Sequence, residues 1–442
     1  MSPNILRAPG VYLEENSSGV RIVTGTGTST PAFLGYAYLD PAKYSDDTAK
    51  AAERARRAKP YLLRGWSAFA ARYDVDVLLK AVRAGRRDTS GKTKPPPDAE
   101  RFLLLAEAVY AFFANGGTAC YVGILDEAKP DLDGDDAVHS GLAGLKSVHD
   151  VTMVAVPVLW DIATANGSKN LPNSLDAAVN LMRSVTDHCS RAGNRLAILD
   201  APRTPDHLDS AWDGHLTTLA GNAGTDNDTD KTFGTLYYPW VRVPGLDGDT
   251  TRAVPPCGHI AGVWAATDTA RGVFKAPANI GLAAVLEPLD VVGDARQQPL
   301  NDAGVNCLRV FPGRGLLVWG ARTLSDTRDW RYVNVRRLVC FLEDSIVSSS
   351  RWVVFEPNDE RLWASLRHAV SAFLTDQWRA GALAGRTPGE AFYVVCDDTN
   401  NTPDTVDRGH VYCDIGVAPV RPAEFVVFRV TQIVGQAGQT TV

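Results

Sequence analysis

The chain has 442 residues, 45% hydrophobic and 22% charged, with 45 Lys and Arg against 51 Asp and Glu and a net charge of −6. That length calls for two or three domains with buried cores, and the mildly acidic balance, with no Lys/Arg-rich tract, excludes a general nucleic-acid binder. Residues 1–10 hold no apolar signal-peptide core, and the longest apolar stretch, Val151 to Trp160, is broken by Thr152 and Pro157 and is too short to span a bilayer, so neither secretion by a leader nor direct membrane insertion is expected.

In chain order, residues 1–40 read as an extended arm: Pro9-Gly10 punctuates the start, Val11-Tyr12-Leu13 favours a strand, and Gly19 to Thr30 is rich in Gly, Ser and Thr. Residues 45–60, rich in Ala, Lys and Arg, predict an exposed helix, and Arg86 to Asp98, with Pro95-Pro96-Pro97, a surface loop. Helical segments between Tyr61 and Asp126 lead through Asn115-Gly116-Gly117 into the strand-like run from Ala119 to Leu125. From 150 to 290 the apolar run Val151 to Trp160, a helical stretch Leu175 to Arg191, a strand Arg195 to Asp200 and the aromatic-rich Gly234 to Val243 give the α/β rhythm of a sheet with covering helices. The stretch Gly221 to Lys231 reads as a loop. After Asn301, short β-rich segments flank one helix, Asp359 to Leu383, and the chain ends on Glu424 to Val430 and a polar tail.

That helix carries a wide apolar stripe of Leu362, Trp363, Leu366, Val370, Phe373, Leu374 and Trp378, while Arg361, His368, Thr375 and Arg379 recur at three- and four-residue steps on the other side. A solvated face and a docking face both fit this pattern. The β-prone chain ends, Val11 to Glu15 and Phe425 to Val430, either pair within their own domain or complete the sheet of a neighbouring molecule.

Catalytic signatures fail. There is no H-E-x-x-H, no G-x-S-x-G elbow, and no evident ligand pair among the eight histidines; His149-Asp150, Asp187-His188 and His259 read as surface or core residues. Gly85 to Thr93 ends like a phosphate-binding loop, but five residues separate its glycines and Lys94-Pro95-Pro96-Pro97 follows where a helix should start, so a flexible basic loop is the reading. Pro312-Gly313-Arg314-Gly315 reads as a turn. Of the seven cysteines, Cys120 and Cys340 sit in apolar runs as reduced, buried thiols, while Cys396 and Cys413 stand far apart in sequence with no C-x-x-C at either; no metal site and no cofactor are expected.

Several stretches resemble one family. Pro9-Gly10-Val11-Tyr12-Leu13-Glu14-Glu15 is followed by Ser18-Gly19-Val20-Arg21 and Thr30-Pro31-Ala32-Phe33-Leu34-Gly35. Phe112 to Gly117 fits too, and the strongest block runs from Asn306 to Ser325 with Phe311-Pro312-Gly313-Arg314-Gly315 and Val318 to Leu324. Trp330 to Leu338, Trp352 to Asn358 and Pro419 to Phe425 continue it. Together these resemble phage tail sheath proteins, except at 40–60, 83–100 and 201–231, which look like insertions on an outer surface.

The resemblance implies a multi-domain α/β (α+β) tail-sheath fold. It divides the chain into an N-terminal arm and first part of the sheath core at 1–40, a helical and loop insertion at 41–100, a middle α/β domain at 101–295, a C-terminal sheath core domain at 296–430 and a tail at 431–442. It implies a non-enzymatic subunit stacked as hexameric rings around an inner tube in a contractile injection system. Its partners would be further copies of itself, the tube protein, and baseplate and tail terminator or cap proteins. The particle would assemble in the bacterial cytoplasm and reach the outside on release. Inter-subunit strand exchange would fall on Val11, Tyr12, Leu13, Glu14, Glu15, Phe425, Val426, Val427 and Phe428, and a tube-facing helix on Arg361, His368 and Arg379. A sheath-related cap or initiator is the alternative, and a soluble α/β hydrolase is disfavoured by the missing motifs.

Overall fold

The structure, a computed structural model, describes residues 22–425 apart from 41–42, 45, 88–100, 128–129, 167–170, 206–207, 209 and 225–227. Among the described residues lie strands β1 (Pro31–Gly35), β2 (Tyr61–Leu63), β3 (Cys120–Ile124), β4 (Met153–Ala155), β5 (Leu196–Asp200), β6 (Gly234–Tyr238), β7 (Val241–Pro244), β8 (Thr251–Val254), β9 (Ile280–Gly281), β10 (Glu287–Pro288), β11 (Val305–Phe311), β12 (Gly315–Val318), β13 (Phe392–Val395) and β14 (Asp414–Val417). The helices of 12 or more residues are α1 (Asp47–Ala58), α2 (Val75–Arg87), α3 (Arg101–Ala114), α4 (Leu171–Ala192), α5 (Cys257–Arg271), α6 (Val333–Ser349) and α7 (Glu360–Arg379).

Nine strands make the main sheet in the order β2-β3-β1-β4-β5-β6-β11-β12-β9. The run from β3 to β11 is parallel throughout, with β2 antiparallel to β3 at one edge and, at the other, β12 antiparallel to β11 and β9 antiparallel to β12. Parallel strands need cover on both faces and so read as continuous apolar runs; β1, β5 and β6 are buried at every residue. The sheet draws β1 from the start of the chain and β11 and β12 from beyond residue 300. Helices α3 and α5 pack closely because Gly258 and Gly262 leave room: a Cβ on Gly258 would lie 2.3 Å from Ala108 O, and one on Gly262 2.7 Å from Phe112 O.

A second core joins α6, α7 and the two-stranded sheet β13–β14. Helix α6 serves both cores, with Val333 and Cys340 against the large sheet and Leu338 and Leu342 against α7. At the junction Arg337 is held in a two-point ion pair by Asp268 of α5, at 2.8 and 2.5 Å, and also donates to Thr28 O at 3.0 Å. Both charged side chains are nearly sealed from water. A charge pair so buried is costly to break from one side, so Arg337 fixes how the early chain, α5 and α6 meet.

Several sequence readings are corrected. The region after 301 holds a second long helix, α6: its Val333, Val335, Val339, Ile346 and Val347 favour strands in isolation, but burial against two cores overrides that preference. Helix α1 is not simply exposed, since Arg57 is buried, donating to Glu53 Oε1 at 2.6 Å and Asp74 Oδ2 at 3.0 Å. The stretch from 221 is partly helical, with one helix ending at Asn222 and a short turn at Asp228–Lys231. The run Val151 to Trp160 splits into β4 and the start of a helix at Leu159, with Pro157 between them.

Candidate functional site

The interior carries ionisable groups, and their settings are those of structural residues. Asp200, at the C-terminal end of β5, accepts a hydrogen bond from Cys257 N at 2.9 Å; burial pushes its carboxyl up to about 7 and the Cys257 thiol well above the ordinary value. His259 is sealed in the core, and burial brings it down to about 4. His188 Nε2 lies 3.4 Å from Arg195 Nη1, whose guanidinium donates to Leu145 O and Val148 O; burial first, then the Arg195 charge, lowers His188 to about 4. Asp187 pairs with Arg191 at 2.9 Å instead of with its neighbour His188. The Pro312–Gly315 segment is the hairpin turn between β11 and β12, with Gly313 and Gly315 at φ of 73° and 75° and Arg314 N donating to Phe311 O. Among the described residues no group of three or more His, Cys, Asp or Glu could hold a metal ion, and no helix is long and apolar enough to cross a membrane.

The surfaces where the chain enters and leaves the fold are more specific. Before β1 the backbone runs extended along α6. Thr24 N donates to Ser349 Oγ and Thr26 N to Ser345 Oγ, both at 3.0 Å, and Thr152 Oγ1 donates to Thr28 O at 2.7 Å. Gly25 permits this approach, because a Cβ there would meet the Phe341 ring at 3.1 Å. The segment leads outward to Ile22, 70% exposed at the C-terminal end of α6. Residues Val11, Tyr12, Leu13, Glu14 and Glu15 precede it and lie outside the described residues.

The other end leaves β14 and is pinned at successive points. Val420 N donates to Ala382 O, Asn334 Nδ2 to Val420 O, and Arg421 pairs with Asp329 at 2.8 Å. Glu424 takes two bonds from Arg322, Nε to Oε1 at 2.9 Å and Nη2 to Oε2 at 2.5 Å, with Tyr332 Oη 3.4 Å away. Glu424 and Phe425, expected to begin a strand, form none with any described residue, and Phe425 is 77% exposed. Val426, Val427 and Phe428 lie outside the described residues.

Beside this exit the sheet β13–β14 has only two strands, and no described strand pairs with either outer edge. Such a hairpin is marginal alone; here α7 and the second core support one face. Helix α7 begins as expected, with Asp359 Oδ1 accepting from Arg361 N and Leu362 N at 3.0 Å. Its apolar stripe is buried apart from half-buried Trp378, and Arg361, His368 and Arg379 lie exposed on the opposite face. Arg379 has only a loose exposed partner, Asp376, at 3.6 Å. The exposed side also carries Asp376, so it is mixed rather than uniformly basic.

Composition flagged neither Arg322 nor Glu424 nor Arg337, because each acts through a partner distant in sequence. The segment Val318 to Leu324, singled out for its resemblance, contains Arg322, and Pro419 to Phe425 contains Glu424.

Two family models match the chain: the phage tail sheath protein central domain over residues 172–324 and the phage tail sheath C-terminal domain over 325–433, together more than half of it. The tail sheath protein of Vibrio phage KVP40 is 30% identical over 223 residues, which are 49% of this chain and 32% of that one. The chain spans about a third to just over half the length of the curated relatives it matches. Among solved structures, the helical sheath of the anti-feeding prophage in its contracted state is similar with a TM-score of 0.67 and 27% identity, over 97% of this chain and all of that one. The contracted sheath complex of an extracellular contractile injection system, PVC, gives 0.66 and 27%, over 98% and 99%.

Proposed function

This chain belongs to the phage tail sheath family, and from that membership we infer that it is the structural subunit of a contractile sheath, polymerising as stacked hexameric rings around an inner tube and shortening to drive that tube through a target envelope. The observation that carries the reading is the likeness, at 27% identity, to a contracted sheath subunit over 97% of this chain and all of that one. Catalysis and cofactors have no part in it.

Linkage between subunits falls to the chain ends. Val11, Tyr12, Leu13, Glu14 and Glu15 of one copy and Phe425, Val426, Val427 and Phe428 of another add strands to the open edges of a neighbour's β13–β14 sheet. Backbone hydrogen bonds of this kind join molecules without demanding a particular side-chain fit. The anchoring of Thr24 to Thr30 and of Val420 to Glu424 supports the assignment, because it fixes where the described chain is held at each end.

Exposure of Arg361, His368 and Arg379 on α7 supports a tube-facing role for that helix. Extended sheath is then a kinetically trapped polymer held in register by the tube, and release at the baseplate lets subunits reorient and bury more mutual surface. Because the contacts are heterologous the lattice has no natural end, so a terminator or cap protein sets its length. Assembly takes place in the bacterial cytoplasm, with the particle released afterwards.

Electron microscopy of the purified full chain tests this reading. Hollow, helically striated tubes are expected, in the contracted form when no tube protein is present. A chain that stays monomeric at every concentration and in every salt tried would overturn it.

A further inference from the structure

The seven cysteines are all free, and five of them are buried in the large core. Cys396 and Cys413 differ. The ladder between β13 and β14 runs Phe392↔Val417, Tyr393↔Gly416, Val394↔Ile415 and Val395↔Asp414. One step further in the same register places Cys396 directly opposite Cys413.

The parity of that position matters. Ala418 N donates to Ala391 O at 2.8 Å, which makes Ala391 and Ala418 a hydrogen-bonded pair. Antiparallel pairs alternate, so Cys396 and Cys413 form a non-hydrogen-bonded pair, where Cα atoms approach to about 4.5 Å and side chains are closest. This lies inside the range of about 4.4 to 6.8 Å that a disulfide accepts. The hairpin end is also held firmly. Asn401, itself buried, accepts from Tyr412 N at 2.7 Å and donates to Tyr412 O at 2.9 Å, Asn400 Nδ2 donates to Val395 O at 2.8 Å, and Arg367 Nη1 of α7 donates to Cys396 O at 2.8 Å.

We propose that Cys396 and Cys413 are a site of oxidative modification, closing into an intrachain disulfide across the β13–β14 hairpin when the protein meets a small-molecule disulfide such as oxidised glutathione. Cys413 is the partly exposed member and Cys396 is sealed, which sets the order of events. The Cys413 thiolate attacks one sulfur of the oxidant; that S–S bond breaks, and one glutathione leaves as thiolate and takes up the proton Cys413 gave up. The Cys396 thiolate then attacks Sγ of Cys413 in the mixed disulfide and expels the second glutathione. Two protein thiols are oxidised by two electrons in all, and one glutathione disulfide is reduced to two glutathione thiols. The bond closes the loop 397–412 and staples the sheet whose edges are assigned to neighbouring copies. Its formation stands on the hairpin geometry alone, whereas a consequence for assembly rests on the sheath reading.

The test uses the purified, fully reduced full chain, equilibrated over a series of oxidised to reduced glutathione ratios, alkylated, denatured and digested without reduction. Arg408 lies between the two cysteines, so trypsin leaves them on separate peptides unless they are bonded. The expected result is one species in which those two peptides are linked, two fewer titratable thiols than the seven of the reduced chain, and a urea midpoint for the oxidised chain above that of the reduced chain. Cys413→Ser should remove the linked peptide and the difference in midpoint. Alkylation of both cysteines at every ratio, or linkage of either to another cysteine or another chain, overturns the proposal. The peptide map of the parent protein decides it even if the variant does not fold.

Discussion

Glu424→Gln tests whether the anchoring of the C-terminal segment matters to assembly. The substitution keeps the shape of the side chain and one acceptor oxygen but removes the charge that Arg322 grips at 2.9 and 2.5 Å. Hydrogen bonds to charged groups contribute roughly 1.5–3 kcal/mol each. Arg322 keeps its bond to Asn301 O at 2.8 Å, and the Glu424 side chain retains 18% of its exposure. A net cost of about 2 kcal/mol follows, and at 1.4 kcal/mol per decade that is about a 30-fold rise in the detached population of the segment. Hydrogen exchange should report it directly: the Val420 amide, bonded to Ala382 O, should exchange about 30-fold faster while amides of β5 and β6 are unchanged. If each incoming subunit must first fix this segment, the concentration at which tubes sediment rises by a comparable factor. Unchanged exchange would mean that the ion pair does not set the exit path. Faster exchange with an unchanged sedimentation threshold would remove the C-terminal arm from the assembly mechanism.

Deleting residues 1–20 should leave the circular dichroism spectrum and melting midpoint of the domains intact, because the anchoring to α6 begins at Thr24, yet abolish tubes; normal tubes would count against the N-terminal arm. Arg379→Glu should impair assembly on the inner tube more than formation of empty sheath, both measured by sedimentation and microscopy, since its exposed pairing with Asp376 contributes little to stability; equal effects on both would dismiss the tube-facing assignment. His188, lowered to about 4 by burial and by Arg195, stays neutral in the fold at a pH where the unfolded chain is already protonated. Its contribution is therefore present above the ordinary value of 6.5 and is lost as pH falls from there to about 4, by up to about 3 kcal/mol. Asp200, raised to about 7, has the opposite slope between its unfolded value and 7, so the readout is the difference between His188→Gln and the parent in urea melts, which should shrink on acidification; a constant difference would refute the assignment.

What was legible in the sequence follows from the range of the forces involved. The buried parallel strands announce themselves as continuous apolar runs, as in Leu196 to Leu199, because both faces need cover. Helix α7 shows its stripe and its Asp359 cap because both are set within one or two turns. Helix α6 was hidden for the opposite reason. Its local preference is for strand, and only the two cores that it joins, brought together from distant parts of the chain, make it a helix. The Arg337–Asp268 and Arg322–Glu424 pairs span 69 and 102 residues, and no periodicity can reveal such partners.

The same distinction explains why the chain ends could be singled out as β-prone while their destination stayed open. A strand's propensity is local, but which edge it completes depends on register and exposure in a folded neighbour. In this fold the large sheet closes its edges with short strands, β2 of three residues and β9 of two, the latter carrying a glycine. Such short edges resist extension. The β13–β14 hairpin has four-residue strands on both sides, with Tyr393 61% exposed. The proposed strand addition fits the small sheet better than the large one on these lengths, although the three-stranded sheet β10-β7-β8 also ends on a four-residue strand, β8. It follows that shortening β13 should abolish tubes without unfolding the main sheet, whereas extending β2 should create no new linkage.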